Sequence, residues 1–230
     1  HADIADWCFL LCRTEPEAPR HKGISLLLVD MRTPGITVHP LQQMTGDAEF
    51  CEVFFEDVAV PAENLVGAPG TGWQIAMGIL SHERGPVWTF TFQRTIRRSF
   101  ERLVGVVREL PGGAATLARP LVRQRLAQAW IEVEILRLTG YRSLTRMLRT
   151  GEPGVESSIE KVLGSETDQR LQDVAAEVLG PRLMVTAGAG AVDGGAICRQ
   201  YLYARSETIM GGTSEIQRNV IAQRILGLPR

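Results

Sequence analysis

A glutamate stands where a helix should be apolar. In MGILSHERGPVW, residues 77–88, and the segment before it, Trp73, Ala76, Leu80 and Val87 recur at three- and four-residue spacing, and Glu83 falls in the same stripe. A carboxylate on a core-facing stripe loses hydration, which raises its pKa. A carboxylate that titrates near neutrality is suited to act as general base toward a weak carbon acid. The plainer alternative is a glutamate paired with Arg84 or another arginine, or one turned to solvent where Gly85-Pro86 breaks the helix.

A second constellation is TIMGGTSEIQRN, residues 208–219. Gly211 and Gly212 permit close backbone approach by a planar or anionic group, and the helix start that follows offers unpaired N–H groups. A tight turn before a capped helix explains the same residues without a ligand. The glycines of AGAGAVDGG do not form a phosphate-binding fingerprint, because no strand precedes them and the third glycine is misplaced. They read as a flexible connection.

The elements that must carry these residues come from a chain of 230 residues, long enough for one large domain or two small ones. With 44% hydrophobic and 22% charged residues, the composition is globular rather than disordered. Apolar runs are too short to span a bilayer, and no signal-peptide pattern opens the chain. There is no initiating Met, and His1 leads straight into a strand-like run, so the chain is expected to be the later part of a longer protein. Cys8, Cys12, Cys51 and Cys198 show no C-x-x-C pair, and the four histidines have no ligand spacing. Free thiols in a reducing, cytoplasmic setting and no metal site are expected.

Charge is unevenly spread. Residues 1–83 carry 4 basic and 12 acidic side chains, residues 84–149 carry 13 arginines against 4 acids, and the remainder is near balance. A cationic middle block fits solvated helix faces, a phosphate-bearing ligand or a subunit contact. Nucleic acid is disfavoured, since the aromatic interleaving of single-strand binders is absent.

Residues 1–66 read as β structure: DWCFLLCRTE, GISLLLVDM, GITVHPLQQM and AEFCEVFFEDVAVP are strand-like runs between turn signals. In the last of them Cys51, Val53 and Phe55 share the more apolar parity, and Pro61 closes the run. From residue 67 the period changes to that of helices. Residues 72–110 make one or two helices with Gly85-Pro86 as the kink, PGGAAT is a loop, and 119–149 is a long helix with Val122, Leu126, Ala129, Val133, Leu136 and Gly140 facing in. TGEPG is a turn. Residues 155–179 form a further helix, expected to bury Ile159, Val162, Leu163, Leu171, Val174 and Val178. In the last helix Ser214 and Gln217 form a capping box, and Ile216, Val220, Ile221, Ile225 and Leu226 make the buried stripe. The expected fold is α+β: a partial antiparallel β-domain over 1–66, then a helical bundle over 67–230.

The runs ADWCFLLCRT, HKGISLLLVDM, TPGITV, QMTGDAEFCEVFFEDVAVPAENLVG, GWQIAM, HERG and GGTSEIQRNVIAQRILGLPR resemble the flavin-dependent acyl-CoA dehydrogenase family, densely over residues 1–84 and 205–230. The resemblance implies the later part of a central β-domain and an up-down four-helix bundle. It also implies FAD as cofactor, an acyl-CoA substrate, electron-transfer flavoprotein as oxidant, a place in fatty-acid β-oxidation, and a homo- or hetero-tetramer. Family members take the α-proton with a glutamate and pass the β-hydrogen as hydride to the flavin, leaving a trans-2-enoyl-CoA. That glutamate sits in one of two places. One is the position of Gly211, which here is empty of a carboxylate; the other, before an arginine on the first bundle helix, is Glu83 before Arg84. Members with the second arrangement often take long, branched or bulky acyl chains. The resemblance further places Gly211, Thr213 and Glu215 at the flavin, and Arg84 and Gly212 at the substrate.

Two family features are eroded. RELPGG stands near the place of an arginine–phenylalanine–glycine motif, and a Gln-x-x-Gly-Gly flavin motif is reduced to Glu177, Gly180 and Pro181. A non-catalytic partner subunit of a hetero-oligomer is therefore a competing expectation, beside an acyl-CoA oxidase and a nucleic-acid-binding relative.

Overall fold

The alternating runs of the first third form strands. The computed structural model describes residues 1–83, 86–151, 154 and 156–229, with side chains outside 81–87. β1 (Trp7–Arg13) pairs antiparallel with β2 (Ile24–Asp30), which pairs on its other edge with the short β5 (Leu65–Val66). β3 (Ile36–Leu41) and β4 (Phe50–Phe55) make a separate antiparallel pair. Pro40 sits opposite Cys51 in that pair, and a two-stranded sheet has only edge strands, so its missing N–H costs no interior ladder bond. As the alternation implies, Cys51, Val53 and Phe55 are the less exposed side of β4.

Seven helices follow among the described residues: α1 (Gly72–Glu83), α2 (Pro86–Glu109), α3 (Gly113–Ala118), α4 (Pro120–Thr150), α5 (Ser157–Leu179), α6 (Ala196–Glu207) and α7 (Ser214–Val220), the last running on through a wider turn at Ile221–Ile225. Pro86 and Pro120 each open a helix, where the missing N–H is unused in any case. PGGAAT, expected as a loop, turns into α3: Gly112 takes a left-handed conformation, and the residues after it are good helix formers. AGAGAVDGG is not a plain flexible connection either, because Asp193 in its final turn is bound by Arg102 of α2.

Contacts divide the chain into two compact units, His1–His82 and Glu83–Arg230. The division falls later than the 66/67 boundary read from the change of period. α1 joins the strand unit, where Trp73 stacks on His21 with ring centroids 5.4 Å apart. Trp73 and Leu80 of its stripe remain more than a third exposed, and Ala76 is only partly covered.

In the second unit the α4 stripe behaves as its pattern dictates. Val122, Leu126, Ala129, Val133, Leu136 and Gly140 are all buried, against Ile96 and Leu103 of α2 and Leu171 and Ala175 of α5. Each fully covered Leu or Val contributes about 1.5–3 kcal/mol by leaving water. Gly164 lets α2 and α5 approach, since a Cβ there would meet the Phe92 ring at 2.8 Å.

Candidate functional site

α5 is the central helix of the bundle, in contact with α2, α4, α6 and α7. A helix packed against four others buries polar residues along with apolar ones, although Arg170, Asp173 and Glu177 remain exposed. Ser158, Glu160, Lys161, Ser165, Thr167, Asp168 and Gln172 are all buried, while Ile159, Val162 and Leu163, expected inside, are only partly covered. The apolar face takes over further along, at Leu171, Val174, Ala175 and Leu179. The correction has a physical cause. The pattern ranks residues by hydropathy, whereas position at the centre of the bundle buries any side chain, provided that partners exist for it.

Those partners come from other elements. Asp168 is fully buried, and its Oδ1 accepts from Gln172 Nε2 at 2.7 Å and its Oδ2 from Gln200 Nε2 of α6 at 2.9 Å. Glu207, at the last position of α6, is 5% exposed, and its carboxyl lies near enough to Asp168 to feel its charge. Lys161, one of only two lysines in the chain, is 2% exposed, and its charge acts on Glu207 and on Glu215. Burial first, then the charge of Asp168, push the Glu207 carboxyl up to about 10, with Lys161 opposing. A second buried acid, Glu160, lies toward α2 and accepts from the Thr89 hydroxyl; burial raises its pKa as well.

Above this layer runs the turn that joins α6 to α7. Gln169 of α5 donates to Ala204 O at 3.1 Å and to Thr208 Oγ1 at 2.9 Å, and Ser214 N donates to Thr208 O at 2.9 Å. Gln217, fully buried, donates to Gly211 O at 2.9 Å. Gly211 and Gly212 are both left-handed, with φ of 65° and 86°. At Gly212 the demand for glycine is double, because a Cβ would meet Gln217 Nε2 at 2.5 Å; at Gly211 the nearest atom would be Lys161 Cε at 4.0 Å. The turn is therefore open above and held from below.

The expected capping box is shifted by one residue. Thr213, not Ser214, is the N-cap, its hydroxyl accepting from Ile216 N at 3.2 Å, and Gln217 reaches back to the glycine turn instead of closing a box. Ser214 is buried at the first helical position. In the last helix Ile216 and Leu226 are exposed and Val220, Ile221 and Ile225 only partly covered, so its apolar stripe is not buried within this chain. Glu215 is exposed, and its own backbone N–H, then the Thr213 hydroxyl, hold its carboxyl below the usual range.

The structure thus brings Gly211, Gly212, Thr213 and Glu215 together on one turn. Glu83 closes α1, but its side chain lies outside the described residues, as does Arg84. Glu177 pairs with Arg125, and Gly180-Pro181 opens a 3-10 turn. The layer of Lys161, Asp168 and Glu207 was missed in the sequence. One signal was present: in a chain with 23 arginines, a lone lysine inside a helical core pattern is out of place. No helix among the described residues is long and apolar enough to cross a membrane.

Comparison with known proteins agrees with this architecture. The family model for the acyl-CoA dehydrogenase C-terminal domain matches residues 70–226, and that for the acyl-CoA dehydrogenase middle domain matches residues 1–58. The acyl-CoA dehydrogenase IpdE1 of Mycobacterium tuberculosis is 41% identical over 229 residues, which is 100% of this chain and 57% of that protein. FadE34 of the same organism is 36% identical, again over 100% of this chain but 30% of its own length. Among solved structures, the Tcur3481-Tcur3483 steroid ACAD superposes with a TM-score of 0.89 at 30% identity, covering 100% of this chain and 58% of that one. The ChsE4-ChsE5 complex from Mycobacterium tuberculosis gives 0.79 at 29% identity, over 99% and 58%. The chain spans little more than half the length of IpdE1 and of these two structures, and less than a third of FadE34. With the middle-domain strands, the C-terminal bundle and the glycine turn all matched, the chain belongs to the acyl-CoA dehydrogenase family.

Proposed function

We propose that this chain is part of a flavin-dependent dehydrogenase that converts an acyl-CoA thioester to its trans-2-enoyl-CoA. The observation that carries the reading is the pair of positions 83 and 211: a glutamate directly before Arg84 at the end of α1, and a glycine where other members keep the carboxylate. In this reading Glu83 removes the α-proton, Arg84 and Gly212 bind the substrate, and the bare Gly211 leaves room for it.

The residues of the turn fit a flavin. Gly211 and Gly212 present backbone without side chains, the Thr213 hydroxyl both caps α7 and donates to Glu215, and the exposed Glu215 carboxylate can accept from hydroxyl groups. When bound, FAD supplies the hydride acceptor. The protein residues hold it, exclude water and move the α-proton. Electron-transfer flavoprotein is the proposed reoxidant and the cytoplasm the proposed location. Because relatives include a protein titled a steroid ACAD, the proposed substrate class is a bulky, polycyclic acyl-CoA. Two structural neighbours, the Tcur3481-Tcur3483 steroid ACAD and the ChsE4-ChsE5 complex, each carry two names, which supports assembly with a non-identical partner, as a hetero-tetramer.

A second reading has its own observation. Glu177 is tied to Arg125, and Pro181 follows Gly180, where a Gln-x-x-Gly-Gly flavin motif would stand; a partner subunit without catalytic function would tolerate that loss. One experiment separates the two. The full gene product, purified with its partner, is mixed anaerobically with a panel of acyl-CoA esters while flavin absorbance is followed, with Glu83→Gln alongside. The expected result is bleaching in the wild type and a rate lower by roughly 10²–10⁴-fold in Glu83→Gln, with flavin retained. Equal bleaching in both moves the base elsewhere. Flavin that no ester bleaches favours the partner subunit.

A further inference from the structure

We propose that Asp168 and Glu207 share one proton as a buried acid pair beneath the Gly211–Gly212 turn, and that Glu207 is a positioning residue for that turn.

The geometry requires it. Gln169, next to Asp168 on α5, donates to Ala204 O and to Thr208 Oγ1, on either side of Glu207, so the two almost wholly buried carboxyls lie at one level of the bundle, where burial and the Asp168 charge both disfavour an ionised Glu207. The proton falls on Glu207 for three reasons. Asp168 accepts from the side-chain amides of Gln172 and Gln200, one on each oxygen, and so is solvated as an anion. Glu207 sits at the C-terminal end of α6, where the helix dipole disfavours negative charge. Its Oε2 is buried with no hydrogen-bond partner among the described residues. Protonated, Glu207 donates to Asp168, and Lys161 balances the single charge that remains.

The elements packed around the pair carry further titratable groups, among them Arg199 and Tyr203 of α6. From α5 come Lys161 and Asp168. On α6, Arg205 turns outward to Asp173. On α7, Arg218 is taken by Glu166, and Glu215 feels Lys161. Of the two short turns packed on α6, one carries Arg182 and the other Asp193, which Arg102 holds.

The link to the turn is short. Glu207 immediately precedes Thr208, the residue clamped by Gln169 and by Ser214 N, and Lys161 Cε is the atom nearest to the side of Gly211 from which a Cβ would project. Anchoring Glu207 to Asp168 therefore fixes the entry to the turn, while Gln217 fixes its exit. That the turn contacts ligand rests on the reading under Proposed function; the proton sharing does not.

The test uses the full gene product with Glu207→Gln and Glu207→Ala. Glutamine can donate as the protonated acid does, so Glu207→Gln should fold with unchanged or higher stability. Its advantage over the wild type should widen as pH rises. In the unfolded chain Glu207 loses its proton near 4.5, whereas the folded protein keeps it to about 10, so the wild type loses stability across that window. Difference infrared spectra, wild type minus Glu207→Gln at neutral pH, should show a protonated carboxyl stretch. A Glu207→Gln protein that is less stable at every pH, without that band, would mean an ionised Glu207 paired with Lys161 and would overturn the pair. For positioning, amide exchange at residues 209–213 should speed at least tenfold in Glu207→Ala, with exchange in α4 unchanged and rescue by Glu207→Gln. Uniform acceleration throughout the bundle would overturn the positioning role. Should the turn loosen while turnover stays at the wild-type value, the pair stands and the placement of the substrate at this turn fails.

Discussion

α4 and α5 are neighbours in one bundle, of comparable length, yet they are buried by different physics. α4 offers an apolar stripe from Val122 to Gly140 and would seat itself against any complementary apolar surface. The first half of α5 buries Glu160, Lys161, Thr167 and Asp168, each of which costs free energy unless specific groups on α2, α4, α6 or α7 meet it. The apolar helix supplies cohesion, and the polar helix supplies selectivity. In the arrangement observed, its buried charged side chains lie beside groups from the other helices, and the same arrangement holds the Gly211–Gly212 turn. The contrast also separates tolerance. Apolar positions accept other apolar residues of similar volume, whereas removing one member of a charge cluster strands the others.

The sharpest way to break the contrast is Lys161→Met. Similar in volume, it removes the buried cation whose charge acts on Glu207 and Glu215 from an acidic layer, and the expected loss is about 4 kcal/mol in denaturant unfolding at neutral pH. A loss below 1 kcal/mol would show that the amides of Gln172 and Gln200 suffice. Leu136→Ala, at a fully buried position of α4, should cost about 3 kcal/mol through lost burial and a cavity, with no pH dependence. A pH-dependent cost there would erase the distinction between the two helices. The smallest effect belongs to the end of the polar layer. Thr213→Ala removes the cap of α7 and should cost about 1 kcal/mol, read as a small drop in melting temperature, together with weaker flavin retention if the turn holds the cofactor.

Much of the fold was legible in the residues. Strand alternation in 7–13 and 50–55, the prolines at 86 and 120, and the α4 stripe are local features, and local sterics and hydropathy are sufficient to produce them. The pattern also marked the glycine turn, since two adjacent glycines before a Thr and a polar helix start have few other uses. The cap residue was misplaced by one because Thr213 and Ser214 are both competent, and only the backbone at Thr213, with φ −57° and ψ 156°, settles which of them lies outside the helix. The helical content of 113–118 was missed because a Gly-Gly pair signals a loop whether or not a helix begins directly after it.

What the sequence by itself determined is the set of elements, the apolar face of α4 and the family to which the motifs belong, all of which depend on neighbours within a few residues. What only the tertiary structure decided is that α5 lies at the centre of the bundle. Its Glu160, Lys161 and Asp168 look like solvent-facing residues in the sequence. They are buried because four other helices surround them, and they are tolerable there because Thr89, Gln200 and Glu207, distant in the chain, arrive to pair with them. Hydropathy is a property of a residue, whereas satisfaction of a buried charge is a property of an assembled site, and no window along the chain contains it.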